Sequence, residues 1–339
     1  MNAAIFGLGV QGKRILEVLN RTQGINLTSL IDSNPEVFKS IRNLNGAQTY
    51  ESFDRFSQES SAELVCIATH CPSHAEIAIR CIESGAKYVL VEKPMACSIS
   101  DCEKMINFAE KNDARLVVNQ SRRYDSTYVW LRKKIISGIW GELKSIWIQR
   151  PGIGLGCIGT HSFDLARFLT NHEVREVTAW IDEPNSRNPR GEQFVDPGGL
   201  VVLNMEGKFR IIISQIEDGS GPRFIEINMS KARIHIDEKL DRLEVVSRNS
   251  VREESELLIG SYHRLKLPNN LSAQVDLEEM LEGLISDLIS ESPKDCNAVD
   301  GKIAIEILVA SYLSNLNNHS PISLSSMSDK DKKLFLPIT

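Results

Sequence analysis

The sequence predicts an α/β fold in two domains: a doubly wound parallel sheet over residues 1–122, then an α/β domain over 123–339 with a large, mostly antiparallel sheet. Three observations predict it. Apolar runs alternate with helical patterns through the first 120 residues, a glycine-rich turn sits at the first strand-to-helix junction, and beyond residue 140 strand-like runs follow one another with few helices between them.

The first part reads in order as "AAIFGL" (3–8), a helix over about 10–22, "INLTSLID" (25–32), "AELVCIAT" (62–69), a helix over 73–84, "AKYVLVEK" (86–93), a helix over 99–112 and "ARLVVNQ" (114–120). Strands alternating with helices of this length imply right-handed crossovers and a parallel sheet. Near-continuous apolar strands fit a sheet covered on both faces. The second part gives strand-like runs at 142–149, 174–181, 199–206, 208–216, 223–229, 232–237 and 242–248. Short connections such as "EGK" (206–208) read as antiparallel pairs. Helices near 126–137, 160–170, 274–290 and 301–316 are available to cover one face.

Composition narrows the function class. The 339 residues are 42% apolar and 25% charged, ordinary for a globular chain with a sizeable core. A net charge of −6 gives no basic footprint for nucleic acid or an anionic membrane. No apolar run reaches the ~20 residues that span a bilayer. "MNAAIFGLG" enters a strand with no basic leader, so a cytoplasmic location is expected. The seven cysteines (66, 71, 81, 97, 102, 157, 296) form no CxxC pair; His70 and His74 stand at HxxxH spacing, but no HExxH pattern occurs. Reduced buried thiols and no metal site are expected.

Gly7-Leu8-Gly9-Val10-Gln11-Gly12 closes the first strand and opens the first helix, and Asp32 ends the second strand 20 residues later. GxGxxG alone is weak; in this setting it is the dinucleotide fingerprint of a Rossmann domain. Gly7 permits the tight turn, Gly9 lets the backbone approach a pyrophosphate, and Gly12 allows close helix–strand packing. The N–H groups at Val10 and Gln11 and the positive helix end face the phosphates. Asp32 would accept from the adenosine ribose hydroxyls and repel a 2′-phosphate, which favours NAD over NADP. The alternative is a plain tight turn.

"VLVEKP" (89–94) raises a separate question: why a core strand ends in Glu92-Lys93-Pro94. Ligands of open α/β sheets sit beyond the carboxyl ends of the strands. The residue before proline avoids the α region, so Lys93 is held extended and its ammonium is expected in the cofactor crevice. Taken alone, a strand-end lysine in a surface ion pair of little energetic value is the better explanation.

Residues 68–125 resemble the Gfo/Idh/MocA family of sugar and polyol oxidoreductases. The pattern A-T-x-x-x-x-H at 68–74, Gly85, Glu92-Lys93-Pro94 and Arg122-Arg123 fall in register with it. "GTHSFDLARFL" (159–169) and "DGKIAIEILVASYLS" (300–314) resemble its later segments, and the likeness is weakest over about 170–270. The resemblance implies hydride transfer between NAD and a secondary alcohol or ketone of a sugar, a sugar derivative (a nucleotide sugar or sugar acid among them) or a polyol. It places Thr69, His70, His74, Glu92 and Lys93 along the cofactor. It also implies a homodimer or homotetramer built through the C-terminal sheet.

The hydroxyl proton must leave as the hydride does, so an acid–base group is required near that oxygen. By resemblance Lys93 is one such group and His161 the second. His161 stands in the first turn of a helix for which Thr160 reads as the N-cap, and the positive helix end favours its neutral imidazole. A structural hydrogen bond is the alternative. Asp164, at i+3, either orients His161 or complements the dipole. Cys157 departs from the family pattern, which commonly has aspartate there, and a neutral thiol cannot share a proton as a carboxylate does. Arg122, Arg123, Tyr124 and Arg150 read as a cluster near strand ends suited to a carboxylate or phosphate, or as solvated arginines and internal ion pairs. A sensor that binds NAD without turnover and an NAD-dependent glycosidase remain as alternatives on the same scaffold.

Overall fold

The computed structural model describes every residue except 42–43, 153, 185–187, 217–220, 222, 249–261, 292–295 and 339. Contacts divide the chain into two compact units. The first holds Met1–Tyr124, Leu277–Val309 and Ser328–Thr339; the second holds Asp125–Asp276 and Ala310–Met327.

The first unit runs β1 (Asn2–Phe6), α1 (Val10–Arg21), β2 (Asn26–Ile31), α2 (Glu36–Lys39), β3 (Gln48–Tyr50), α3 (Phe53–Glu59), β4 (Leu64–Ile67), α4 (His74–Glu83), β5 (Tyr88–Val91), α5 (Ile99–Lys111) and β6 (Arg115–Val118). Its six strands are all parallel in the order β3-β2-β1-β4-β5-β6. Every residue of β4 is buried, as are Ala3–Phe6 of β1, because helices cover both faces. The order reverses beside β1, so the turns after β1 and β4 border the ligand crevice of a doubly wound sheet. The region 33–61 carries short elements that the apolar pattern does not announce, since α2 buries no residue and α3 only Phe56.

A later helix, α8 (Leu277–Leu288), belongs to this unit as well. Leu281, Leu284, Ile285 and Leu288 enter the same core as Leu16 and Leu19 of α1, and Arg21 ion-pairs with Glu278 and Glu282. The helix expected near 274–290 as cover for the second sheet therefore spends its apolar stripe on the first unit. The terminal segment also docks here, past α10 (Asp329–Lys332): Leu336 N–H donates to the Cys97 carbonyl at 2.8 Å and Ile338 is buried.

The second unit contains α6 (Ser126–Ile136), β7 (Leu143–Pro151), α7 (Thr160–Thr170), β8 (Val174–Ile181), β9 (Gly199–Met205), β10 (Arg210–Ile216), β11 (Phe224–Met229), β12 (Ala232–Asp237), β13 (Arg242–Arg248), β14 (Tyr262–Arg264) and β15 (Ile322–Ser323). They form one sheet in the order β14-β13-β12-β11-β7-β10-β9-β8-β15. Every pairing is antiparallel except β7 with β10. Period-two alternation buries Ile146, Ile148, Val201, Leu203, Ile211 and Ile213 on one face and leaves Trp147, Trp180 and Leu200 exposed on the other. The end of α9 (Ala298–Leu316) ties to β8, with Ser314 Oγ accepting from Ala179 N–H at 3.0 Å and Asn315 Oδ1 from Ile181 N–H at 2.9 Å.

Candidate active site

In the first unit the β1–α1 turn is built from glycine because little else fits. Gly7 has φ +86°, and its N–H donates to the Ile31 carbonyl at 2.8 Å. A Cβ at Gly7 would lie 2.6 Å from the Ala68 carbonyl oxygen, and one at Gly12 only 1.8 Å from that of Gly7. Gly9 is different: a Cβ there meets no protein atom within 4 Å. Gly9 caps α1 without any side-chain cap bond, so the first-turn N–H groups are left to a ligand. Val10 is exposed, and the Gln11 side chain accepts from Arg14 at 2.6 Å.

Asp32 accepts the Leu8 N–H at 2.7 Å on one oxygen and the Asn34 N–H at 2.9 Å on the other. It lines a cleft of about 610 Å³ together with Gly7, Gly9, Phe53, Thr69 and His70. A glycine with open space, an uncapped helix end and a carboxylate at the end of β2 fit a dinucleotide, with Gly7, Gly9, Gly12, Val10, Gln11 and Asp32 positioned to hold it.

His74 lies beneath this cleft and not in it. The ring is buried, with Nδ1 3.0 Å from the Pro94 carbonyl and Nε2 3.0 Å from that of Thr69. His74 thus braces the loop after β4 against the loop after β5. Burial holds its pKa below the ordinary histidine value. Glu92 is likewise turned into the fold: Oε1 accepts from Asn119 Nδ2 at 2.6 Å, and burial pushes its pKa up. Lys93 follows at the carboxyl end of β5, half-buried and joined to Pro94 by a cis peptide.

Residues of the expected anion-binding cluster have carboxylate partners within each unit. Arg123 is buried in an ion pair with Asp300 at 2.9 Å. Tyr124 donates its hydroxyl to Asp287 of α8 at 2.7 Å. Arg122 is buried in the same short turn. In the second unit Arg150 makes a bidentate pair with Glu238 at 2.7 and 2.8 Å, and the Tyr128 hydroxyl donates to the same carboxylate at 2.6 Å. Burial works against the Arg150 charge, but Glu238 outweighs it and raises the pKa. Arg123, Tyr124 and Arg150 thus each have a carboxylate partner within their own unit.

His161 lies near the start of α7, half-buried, with Asp164 buried one turn on. Thr160 is not the N-cap expected. A π-helical turn, Gly154–Gly159, runs directly into α7, and the Thr160 hydroxyl donates back to the Gly156 carbonyl at 2.7 Å, as a helix-interior threonine does. Cys157 is buried within that turn, with Arg190 Nη1 3.0 Å from its sulfur. Its N–H donates to Asp196 Oδ2 at 2.7 Å and that of Gly156 to Oδ1 at 2.6 Å. Asp196 is a residue that sequence reasoning missed; "DPGG" (196–199) marks only a turn, and its partners lie 40 residues upstream.

Residues 1–120 match the Gfo/Idh/MocA family model, described as an oxidoreductase family with an NAD-binding Rossmann fold. A myo-inositol 2-dehydrogenase of Thermotoga maritima is 24% identical over 325 residues, covering 90% of this chain and 93% of that protein. An inositol 2-dehydrogenase of Salmonella typhimurium is 30% identical over 146 residues, covering 42% of this chain and 43% of the relative. Among solved structures, an Agrobacterium radiobacter oxidoreductase in complex with NAD+, L-tartaric acid and magnesium superposes with TM-score 0.77 at 18% identity, covering 97% and 99% of the two chains. An aldose-aldose oxidoreductase from Caulobacter crescentus complexed with glycerol gives 0.76 at 20%, covering 95% and 99%. The two-part α/β fold and the family likeness expected from the sequence agree with these findings.

Proposed function

We propose that this chain, a member of the Gfo/Idh/MocA oxidoreductase family, is an NAD-dependent dehydrogenase or reductase acting on a CH–OH group of a sugar-like or cyclic polyol substrate, with Lys93 and His161 handling the proton. The observation that carries this reading is the first unit's crevice: a glycine turn and Asp32 that fit a dinucleotide, in the same sheet whose β5 is followed two residues on by Lys93. The names of the inositol dehydrogenases to which the chain is similar support the polyol class.

The bound dinucleotide supplies the hydride acceptor in oxidation and the donor in reduction. Asp32 favours NAD over NADP, because its oxygens suit ribose hydroxyls and its charge repels a 2′-phosphate. The Lys93 ammonium donates hydrogen bonds to the substrate oxygen and stabilises alkoxide character as the proton leaves. His161 passes or accepts that proton through its imidazole. A homodimer or homotetramer through the second unit's sheet accords with the exposed Trp147, Trp180 and Leu200 on its uncovered face.

The test is turnover of NAD with a panel of inositols, open-chain polyols, sugars and sugar acids, followed as NADH formation and run in reverse with the ketones. One class is expected to react, and Lys93→Ala should lower kcat by ~10²–10⁴-fold. NAD binding with no turnover in either direction on any class would overturn the reading.

A further inference from the structure

We infer that Asp196 is a positioning residue for the substrate side of the site: docked on the Gly156 and Cys157 N–H groups, its carboxylate sets the π-helical turn that delivers His161. The inference rests on the proposed role of His161 in proton handling, and all of its geometry lies within the second unit.

Four contacts stitch the segment 190–197 to this turn. Asp196 Oδ1 accepts from Gly156 N–H at 2.6 Å and Oδ2 from Cys157 N–H at 2.7 Å. The Pro197 carbonyl accepts from Leu155 N–H at 2.9 Å. Arg190 Nη1 lies 3.0 Å from the Cys157 sulfur. The fit is close enough to dictate sequence on the other side: a Cβ at Gly154 would fall 2.0 Å from the Asp196 carbonyl oxygen and 2.2 Å from Oδ1. Asp196 is only 7% exposed, so these N–H groups have the carboxylate in place of water, and charge-assisted bonds of this length are the strong kind.

The turn needs such a fastening. A π-helical turn leaves backbone groups out of the ordinary i→i−4 ladder, and buried donors require partners. Asp196 satisfies two consecutive donors at once. Three glycines (154, 156 and 159) among its six residues leave the turn without intrinsic stiffness. From Gly159 the chain passes straight into Thr160 and His161, so a shift in the turn is handed to the imidazole. Sub-ångström placement matters for a group that must meet a reacting proton, and a misplacement of about 1 Å can cost ~10²-fold in rate.

The experiment compares the full-length wild type with Asp196→Ala and Asp196→Asn. All seven cysteines are buried, so native protein should react slowly with a thiol reagent such as 5,5′-dithiobis(2-nitrobenzoate). Asp196→Ala should expose one fast-reacting thiol, absent from Asp196→Ala/Cys157→Ser. Its kcat/KM for the polyol should fall by ~10²-fold, carried by kcat and accompanied by a displaced pH profile, with Asp196→Asn between it and wild type. NAD affinity, a property of the first unit, should stay within about twofold of wild type and certifies folding. Unchanged labelling, or loosened labelling with unchanged kinetics, overturns the positioning role. A wild type without turnover would overturn the dehydrogenase reading instead, and the labelling comparison would still decide whether Asp196 holds the turn.

Discussion

Asp32 accepts the Leu8 N–H at 2.7 Å, so the carboxylate expected to read the cofactor's ribose also closes the glycine turn expected to hold its phosphates. Its second oxygen takes the Asn34 N–H at 2.9 Å. Each carboxylate oxygen carries a second acceptor site, so neither bond prevents ribose recognition. The proposed reading of the ribose and the geometry of the turn thereby fall on one side chain.

Asp32→Asn separates the two roles, since the amide keeps one acceptor and loses the charge. NAD affinity should fall about tenfold, ~1.4 kcal/mol, and the ratio of NAD to NADP affinity should narrow as like-charge repulsion of the 2′-phosphate disappears. Calorimetric titration with both dinucleotides measures this directly. An unchanged ratio would place the selection on other residues of the cleft, such as Ser33 and Asn34.

What was legible in the sequence is what is local. The Gly7–Gly12 spacing, the strand ends at Asp32 and Lys93 and the period-two runs of the second sheet are all short-range patterns, and each lies where the pattern puts it. The partners of Arg150 and Tyr124 were not legible, for the opposite reason. Arg150 and Tyr124 meet carboxylates 88 and 163 residues away, and no spacing rule reports such partners. Thr160 was read as a cap because the glycine run before it looks like a loop, whereas Asp196 holds that run in a helical turn from another segment. Only tertiary contact reveals either.

The Arg150–Glu238 pair predicts an asymmetric cost. The two side chains are 2% and 4% exposed, so Glu238→Gln leaves a buried guanidinium without its counter-charge and should destabilise the protein by about 3–5 kcal/mol. Replacing both partners with methionine should cost far less, because the desolvation penalty leaves with the charges. Urea denaturation of the two variants makes the comparison. A double variant as unstable as Glu238→Gln would show that the network contributes more than mutual charge compensation.

His74 predicts acid sensitivity. Burial holds its folded pKa below the ordinary value of 6.5, so the neutral ring contributes stability that is complete above that value and is lost as pH falls through the folded pKa. The denaturation midpoint should drop on acidification below about 6.5, and His74→Asn, which keeps one donor for a carbonyl, should flatten that slope. Glu92 runs the other way. Its pKa is raised by burial from an ordinary 4.5, so its contribution fades as pH rises from that value through the folded pKa, and Glu92→Gln should remove that trend. Parallel pH curves for wild type and His74→Asn would assign the acid limb to another group.

Gly9 and Gly12 look alike in the fingerprint but answer to different neighbours. A Cβ at Gly12 would lie 1.8 Å from the Gly7 carbonyl oxygen, so Gly12→Ala must push α1 off the turn, at about 1–3 kcal/mol of overpacking and with loss of NAD affinity as well. A Cβ at Gly9 meets no protein atom within 4 Å, and its backbone, φ −67° and ψ −161°, is open to alanine. Gly9→Ala should therefore keep its stability to within about 0.5 kcal/mol yet bind NAD at least tenfold more weakly, because its methyl group enters space open among the described residues, where a ligand would lie. Denaturation midpoints beside NAD titrations separate the two cases. A Gly9→Ala protein that binds NAD normally would mean that the pyrophosphate does not approach this backbone, and the cradle would have to be redrawn around the remaining N–H groups of α1.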